Sequence, residues 1–222
     1  MLTTRPRWVQ VPAFPNGTPW TSSYTTGDLW APDLSYRTSQ YYLYYSASTF
    51  GSMNSAIFLA TSPSGNAGTW TNRGLVVSTT SSSNYNAIDP STGLRSGSSM
   101  TSVATRSGGI EAPDIYYRSG YYYLFASFDN CCKGAQSTYR IMVGRSTSVT
   151  GPYVDRAGTA MTSGGGTQIL AGHGSIHGPG HSATLTDSDG TILFYHYYTD
   201  AGDSRLGINR LSWDSAGWPV VS

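Results

Sequence analysis

The chain carries very little charge. Only 11% of its 222 residues are charged, the formal net charge is +1, and Lys133 is the single lysine among thirteen basic residues. There is neither a basic field for nucleic acid nor an acidic tail. The surface must instead consist mainly of Ser, Thr, Gly and Tyr. Such a neutral, hydroxyl-rich surface suits an uncharged, hydroxylated partner such as a sugar, and it equally suits an ordinary extracellular β-protein.

Long apolar runs are also missing. No stretch approaches the ~20 apolar residues of a membrane-spanning helix, so we expect no contact with a membrane. Residues 1–7 lack the ~7–15-residue apolar run of a signal peptide. Either the protein stays inside the cell or the true N-terminus precedes Met1. The acceptor sequon Asn16-Gly17-Thr18 favours secretion.

Cysteine is nearly absent. The two cysteines, Cys131 and Cys132, are adjacent in the sequence. A disulfide between neighbours closes only a small ring, so these residues cannot join distant segments. The fold therefore does not depend on a disulfide framework.

Helix signals are lacking as well. Apolar residues do not recur at i, i+3 and i+4 over any long window. Short tyrosine-rich runs bounded by Gly, Ser, Asp and Asn recur instead, and aromatic and β-branched residues fit a half-buried pleated surface. We therefore predict an almost wholly β structure. The clearest predicted strands are residues 41–45, 56–60, 121–125, 140–143 and 192–198.

The most informative feature is an internal repeat. Trp30-Ala-Pro-Asp-Leu-Ser-Tyr-Arg is followed by a turn and a tyrosine-rich strand beginning at Tyr41, and the segment beginning at Glu111 repeats the pattern. A degenerate third copy starts at Gly178-Pro-Gly-His-Ser and turns at Asp187-Ser-Asp-Gly. Each copy predicts two strands, then an apolar strand and an edge segment. Four antiparallel strands per repeat, arranged radially, form a β-propeller.

The propeller predicts where function lies. The first strand of each blade lines the central axis, so the residues that open these strands meet at one mouth of the channel. They are Trp30, Glu111 and His181, with Asp89 at a comparable phase. A structural repeat keeps like residues at like positions. The variation among Trp, Glu and His at this position therefore indicates a functional site.

Eight segments within residues 13–222 resemble glycoside hydrolase family 43, in particular its endo-1,5-α-L-arabinanases. One segment alone is weak evidence, but eight in the family's order indicate membership. The segments are residues 30–33 (WAPD), 46–51 (SASTFG), 84–90 (NYNAIDP), 110–113 (IEAP), 122–133 (YYLFASFDNCCK), 137–146 (STYRIMVGRS), 164–167 (GGGT) and 178–181 (GPGH). The resemblance implies a single catalytic domain over residues 1–222. It would be an all-β, five-bladed propeller lacking most of its first blade and part of a middle blade.

The resemblance also implies residue roles. Glu111 is the general acid of an inverting glycosidase, and Asp89 is the carboxylate that orients it and raises its pKa. Trp30 forms a sugar platform, and Phe50 and Gly51 line the same groove. The other implied substrate-binding residues are Asn86, Ala87 and Ile88. Without the repeat, Glu111 would be an ordinary strand residue, Asp89 a turn former and Trp30 a core residue.

His181 resembles the family histidine that helps to hold a hydrated calcium ion, the one cofactor expected here. Calcium prefers ~6–8 oxygen ligands, so a structural histidine is the alternative. The sequence at Asp187-Ser-Asp-Gly predicts a hairpin turn rather than a metal loop. The expected partner is arabinan or an arabino-oligosaccharide, with no nucleic acid, and the protein is expected to be an extracellular monomer. Cys131 is expected near the site.

Two departures from the family bear on activity. The family's first blade carries an aspartate followed by proline that acts as the general base, and this chain has no counterpart. In addition, Asp89-Pro90 runs directly into Ser91-Thr-Gly-Leu, which resembles the end of the same blade. About 30 residues are missing there, judged against a blade of ~40–50. We expect a truncated sequence and an impaired enzyme. A non-catalytic carbohydrate-binding propeller and another family 43 specificity (an arabinofuranosidase or a xylosidase) are the alternatives, and endo or exo action stays open.

Overall fold

The computed structural model describes residues 11–90, 101–188 and 190–222. In these ranges the chain is all-β, with twelve strands, three short 3-10 turns and no α-helix. Each of the five predicted runs lies inside an observed strand, so that prediction is confirmed. The same part of the chain holds no helix long and apolar enough to cross a membrane.

The strands form three four-stranded antiparallel sheets, each with its strands in chain order. The first sheet contains β1 (Leu29–Arg37), β2 (Gln40–Ser48), β3 (Ser55–Ser62) and β4 (Thr71–Thr79). The second contains β5 (Ile110–Arg118), β6 (Tyr121–Phe128), β7 (Arg140–Ser146) and β8 (Thr167–Leu170). The third contains β9 (His177–Asp187), β10 (Gly190–Tyr198), β11 (Ser204–Trp213) and β12 (Pro219–Val221). Each sheet is the four-stranded unit that the repeat predicts.

The first hairpin of each repeat closes through a tight turn. Residues 38–39 join β1 to β2 with φ values of 48° and 58°, and residues 119–120 join β5 to β6 at 49° and 84°. Two successive positive φ values are typical of a type I′ turn, whose twist matches that of the flanking strands. In the third sheet Asp187 pairs with Gly190, so the predicted hairpin turn is confirmed there.

The chain divides into two compact units, residues 1–90 and 91–222. The first unit buries one face of the first sheet. Its core is formed by Leu43, Tyr45 and Phe58 with three alanines, and Phe14 and Trp20 from the preceding segment pack against it. The prediction of a single domain over residues 1–222 stays a prediction, because it concerns how these two units combine.

In the second unit the second and third sheets pack on each other. Their shared core includes Tyr123, Phe125 and Ile141 from one sheet and Leu193 and Leu211 from the other. Burying several large apolar side chains of this kind contributes roughly 1.5–3 kcal/mol each.

Polar contacts also join these two sheets. The hydroxyl of Thr184 on β9 donates to Oδ2 of Asp114 on β5 at 2.7 Å. Asp114 is therefore a structural residue. The repeat makes Asp33 its equivalent in the first sheet.

Candidate active site

Glu111 lies at the start of β5, where the strand is irregular. It pairs with Ser127 on β6, and the register then shifts before Asp114. The buried residue between them, Ala112, has a φ of 52°. An extra residue of this kind is a β-bulge, a device that redirects side chains and is common beside active sites. The half-buried carboxyl of Glu111 is thus presented from a kinked strand end.

The carboxyl of Glu111 has a defined partner. The hydroxyl of Tyr139, just before β7, donates a hydrogen bond to Oε1 of Glu111. Tyr139 is only 2% exposed, so this hydroxyl is held in place by packing. Tyr139 belongs to one of the family-like segments, residues 137–146, but the sequence alone gives this tyrosine no role. The contact depends on the register of three strands, which the sequence does not show.

His181 on β9 lies in the same unit. Its backbone N–H donates to Oγ of the fully buried Ser127, which pairs with Glu111, at 2.7 Å. Its exposed ring lies 6.5 Å from that of His196. Burial, and after it the charge of His181, holds the pKa of the His196 imidazole below its usual value. A neutral His196 is the expected state near pH 7.

The four residues predicted to open the axis-lining strands do not lie at equivalent positions. His181 and Asp89 are each one position away from the position that Trp30 and Glu111 occupy, so the prediction was wrong for these two residues. The positive-φ bulge residue follows Trp30 and Glu111, where it is Ala31 or Ala112, with φ of 41° and 52°. His181 and Asp89 are themselves positive-φ residues, at 51° and 53°. On the third sheet the register shifts just after Gly180, so Gly180 and not His181 matches Glu111. The variation among Trp, Glu and His therefore does not occur at one equivalent position.

An ion-pair cluster fixes the loop that follows β6. Asp129 accepts from Arg106 and from Arg140, each at 2.7 Å, and its backbone N–H donates to Gly109 O at 3.0 Å. Gly109 leads directly into β5. Cys131 and Cys132, on the same loop, form a disulfide. The cluster therefore connects the entry to Glu111 with the loop that carries the cysteines, and the expected place of Cys131 near the site stays a prediction.

The charge of Asp129 should contribute stability that depends on pH. Partial burial raises the pKa of the Asp129 carboxyl, but the hydrogen bonds and charges of Arg106 and Arg140 outweigh it and hold the pKa below its usual value. This contribution is present above the unfolded pKa of ~3.9 and is lost as the pH falls through the lower folded pKa. We expect Asp129→Asn to unfold at lower urea than the unchanged chain at pH 6. The difference should shrink as the pH is lowered towards 2.5. Parallel stability profiles for the two proteins would show that the ion pairs contribute nothing.

Trp30 and Phe50, in the first unit, form an aromatic pair. Their rings stack with centroids 5.8 Å apart and planes 20° apart. The indole N–H of Trp30 donates to Ser48 O at 2.7 Å, which fixes the ring, while Phe50 is 74% exposed. Trp30 also lines a mostly apolar cleft of about 670 Å³ together with Phe14, Leu43 and other residues. Gly51 follows Phe50 with a φ of 79°, a conformation that glycine adopts without strain.

The segment 86–89 is anchored to the first sheet. Nδ2 of Asn86 donates to Ser52 O at 3.0 Å, next to Gly51. The N–H of buried Ala87 donates to Oγ1 of Thr79 at 3.0 Å. The structure thus brings Asn86, the first of the predicted residues Asn86–Asp89, to the turn that carries Phe50 and Gly51. The prediction that Asp89 is the nearest carboxylate to Glu111 joins the two units and stays a prediction, and Ser91 lies outside the described residues.

The expected calcium site finds little support in side-chain chemistry. Among the residues that the structure describes, no three His, Cys, Asp or Glu side chains cluster in a way that could hold a metal ion. Calcium prefers oxygen ligands, and the neighbour of the His181 ring is a second imidazole. The described residues do not fit a calcium ion held by protein ligands. An ion at His181 would depend on water for nearly all its ligands.

A known protein family and a named relative match most of this chain. The family model described as "Glycosyl hydrolases family 43" matches residues 3–99 and 93–219. The extracellular endo-α-(1→5)-L-arabinanase 1 of Bacillus subtilis is 41% identical over 246 residues, covering 95% of this chain and 75% of the relative. The chain therefore belongs to glycoside hydrolase family 43.

Solved structures of arabinanases superpose on most of this chain. An exo-1,5-α-L-arabinanase from a bovine ruminal metagenomic library superposes with a TM-score of 0.87 at 33% identity, over 94% of this chain and 83% of that one. A Cellvibrio cellulosa α-L-arabinanase complexed with arabinohexaose has a TM-score of 0.86 at 32% identity, over 95% and 83%. These arabinanases are five-bladed propellers, so the predicted fold class, an all-β five-bladed propeller, is confirmed. The expected lack of most of the first blade stays a prediction.

The matches also bear on the expected internal gap. The Bacillus alignment spans 246 residues but uses 95% of this chain, about 211 of 222 residues. About 35 aligned positions of the relative therefore have no counterpart here. The family model matches in two pieces that meet at residues 93–99. Both observations agree with the expected internal gap in the sequence after Asp89-Pro90.

Proposed function

We propose that this chain is an arabinan-cleaving glycosidase, working outside the cell as a monomer, in which Glu111 is the general acid. The observation that carries the proposal is the position of the Glu111 carboxyl. It lies at the bulged end of β5 and accepts a hydrogen bond from the buried Tyr139 hydroxyl. The relatives named as arabinanases, one of them extracellular, supply the substrate class. The neutral, hydroxyl-rich composition agrees with an uncharged polysaccharide.

The proposed reaction inverts the anomeric centre. Protonated Glu111 gives its proton to the glycosidic oxygen as the bond from that oxygen to the anomeric carbon breaks. Water adds to the opposite face of the sugar and loses its proton to a second carboxylate, which stands ~6.5–9.5 Å from the acid in inverting enzymes. Asp89 is proposed to orient the acid and to keep it protonated by charge repulsion. In the family the base is an aspartate before proline. Asp89 is the one aspartate followed by proline in these 222 residues.

Substrate binding is proposed for the first unit. The Trp30 ring, fixed by its bond to Ser48, offers an apolar face to a sugar ring, and Phe50 extends that face. Gly51 lets the substrate approach the backbone closely. The turn at Asn86–Asp89, with Ala87 and Ile88, would complete this side of the groove.

Binding tests the substrate class without requiring turnover. Calorimetric titration with arabinohexaose should show binding by the unchanged chain and weaker or no binding of xylohexaose. Trp30→Ala should weaken arabinohexaose binding about tenfold or more, a loss of about 1.4 kcal/mol.

Tyr36→Ala provides a matched control. Tyr36 is a 61%-exposed aromatic residue at the other end of the same strand, and its ring contacts Tyr41 at a tilt of 51° rather than Phe50. Its removal should leave the affinity unchanged. Equal losses in both variants, or no preference for the arabinose oligomer, would contradict the proposed substrate site.

A non-catalytic carbohydrate-binding protein is the second candidate. It is favoured by a single observation, the occurrence of only one Asp-Pro pair in the chain. Both candidates predict arabinohexaose binding, and turnover separates them.

A further inference from the structure

We propose that Tyr139 is a positioning residue for Glu111. Its hydroxyl holds Oε1 of the carboxyl, so that Oε2 carries the proton transferred to the leaving group. The inference rests on the proposed function, since a proton donor needs positioning only if Glu111 is the acid. The hydrogen bond itself is independent of that assignment.

The backbone around Tyr139 is fixed from both sides. The N–H groups of Thr138 and Tyr139 both donate to Asn130 O, at 2.9 and 3.2 Å. Asn130 follows Asp129, which is held by its two arginine partners. Tyr139 then leads directly into β7, whose pairing with β6 is regular from Arg140 onwards. The tyrosine is therefore anchored to the same loop and sheet that present Glu111.

The ring of Tyr139 occupies a space that a glycine leaves open. A Cβ built on Gly180 would lie 2.3 Å from Cδ2 of Tyr139, far closer than real atoms approach. Gly180 is the position on the third sheet that matches Glu111 on the second. The third sheet thus carries no side chain at the position where the second sheet carries the carboxyl. The tyrosine ring fills that space, which gives a physical reason for the glycine.

This contact determines which carboxyl oxygen can hold the proton. An oxygen that accepts a hydrogen bond from a donor is a poor site for a proton of its own, because two hydrogens would then face each other. The proton of the neutral acid therefore sits on Oε2. It leaves for the glycosidic oxygen as the C–O bond breaks, and the resulting carboxylate keeps its bond from Tyr139 and is reprotonated from water. A donor to the ionised form also stabilises that form, so Tyr139 lowers the pKa of Glu111.

Other titratable groups near the start of β5 must be separated from this effect. They are Asp129 with its partners Arg106 and Arg140 beyond the end of β6, His181 on β9 and His196 on β10. A change from tyrosine to phenylalanine removes one oxygen atom and leaves all these groups in place.

The test uses the fact that Glu111 is the only glutamate in the chain. Labelling with δ-¹³C glutamate therefore gives a single side-chain carboxyl signal, and its pH titration reports on Glu111 alone. Tyr139→Phe should raise the pKa of Glu111 by about one unit, a tenfold change in its ionisation constant. Tyr198→Phe is the matched control. The Tyr198 hydroxyl accepts from the Cys132 N–H at 3.2 Å and its ring contacts His196, and its removal should leave the titration unchanged.

An unchanged or lowered pKa in a folded Tyr139→Phe protein would overturn the inference, as would an equal shift in Tyr198→Phe. The proposed function fails separately. If the unchanged chain does not bind arabinohexaose while Tyr139→Phe still shifts the Glu111 titration, the proposed function is wrong although the contact is real. If arabinohexaose binds but Tyr139→Phe leaves the titration unchanged, only the role of Tyr139 is wrong. In the first case the proton donor has no reaction to serve. The hydrogen bond would then be only structural.

Discussion

The 222-residue polypeptide, assayed by itself, is expected to hydrolyse linear 1,5-arabinan about 10²–10⁴-fold more slowly than an intact enzyme of the family. General-base assistance has that size, and the one Asp-Pro pair of the chain is assigned to another role. Asp28 and Asp33 are the only acids before residue 89. Asp33 matches the structural Asp114, which is held by Thr184. The measurement is release of reducing ends from linear arabinan, with the Bacillus subtilis relative assayed in parallel.

A missing base should leave a specific chemical signature. Azide attacks the anomeric carbon without losing a proton, so it does not need a base, while Glu111 still protonates the leaving oxygen. Adding azide should therefore accelerate cleavage of an arabino-oligosaccharide and give an arabinosyl azide of inverted configuration. An extended polypeptide should recover turnover without azide. It would carry a first-blade strand with its Asp-Pro pair and the ~35 aligned positions of the relative that have no counterpart in this chain. A normal rate from residues 1–222 alone would refute the prediction, and Asp28 and Asp33 would be the first residues to change.

The sheets were predictable because they depend on local patterns. Tyrosine-rich runs between turn residues indicate strands wherever they occur, and the repeat of Trp30-Ala-Pro-Asp at Glu111 shows that two sheets share a hairpin. Both hairpins close through positive-φ turns that Ser and Gly accommodate at residues 119–120. Period and turn chemistry are readable without tertiary information.

The bulges were not predictable, and they caused the error in phase. Nothing in Gly180-His181-Ser182 shows that the extra residue is the histidine, whereas in Glu111-Ala112-Pro113 it is the alanine. A shift of one residue changes which side chains are equivalent, because neighbouring residues in a strand point to opposite faces. The repeat identified the strands that open each sheet, but not which residues at their starts are equivalent.

The partner of Glu111 was equally hidden. Tyr139 is 28 residues further along the chain, and it reaches the carboxyl only because β6 returns beside β5 and β7 follows β6. Seventeen tyrosines occur in the sequence, so residue type alone gives no reason to select this one. Gly180 likewise belongs to the family-like segment at residues 178–181, and only the packed ring of Tyr139 explains why it is glycine.

Glu111→Gln, made in the extended polypeptide, is expected to reduce hydrolysis of linear arabinan about 10²–10⁴-fold. Glutamine keeps the shape and still accepts the Tyr139 hydrogen bond, but it has no acidic proton for the departing sugar oxygen. The loss should depend on the leaving group. A 2,4-dinitrophenyl arabinofuranoside releases a phenolate that needs no protonation. The rate of its cleavage should therefore fall less than about tenfold, a loss that the changed charge at residue 111 can cause by itself.

Asp203→Asn is the matched control for this substitution. Asp203 is an exposed carboxylate whose ion-pair partner within the described part of the chain is Arg205, at 3.3 Å, and converting it to an amide should change neither rate. Full activity of Glu111→Gln on arabinan would remove Glu111 from the reaction. Equal losses on both substrates would assign it to binding or folding instead of proton transfer. A loss confined to the sugar leaving group is the result that only a general acid produces, because only such an acid supplies the proton that the departing glycosidic oxygen takes up.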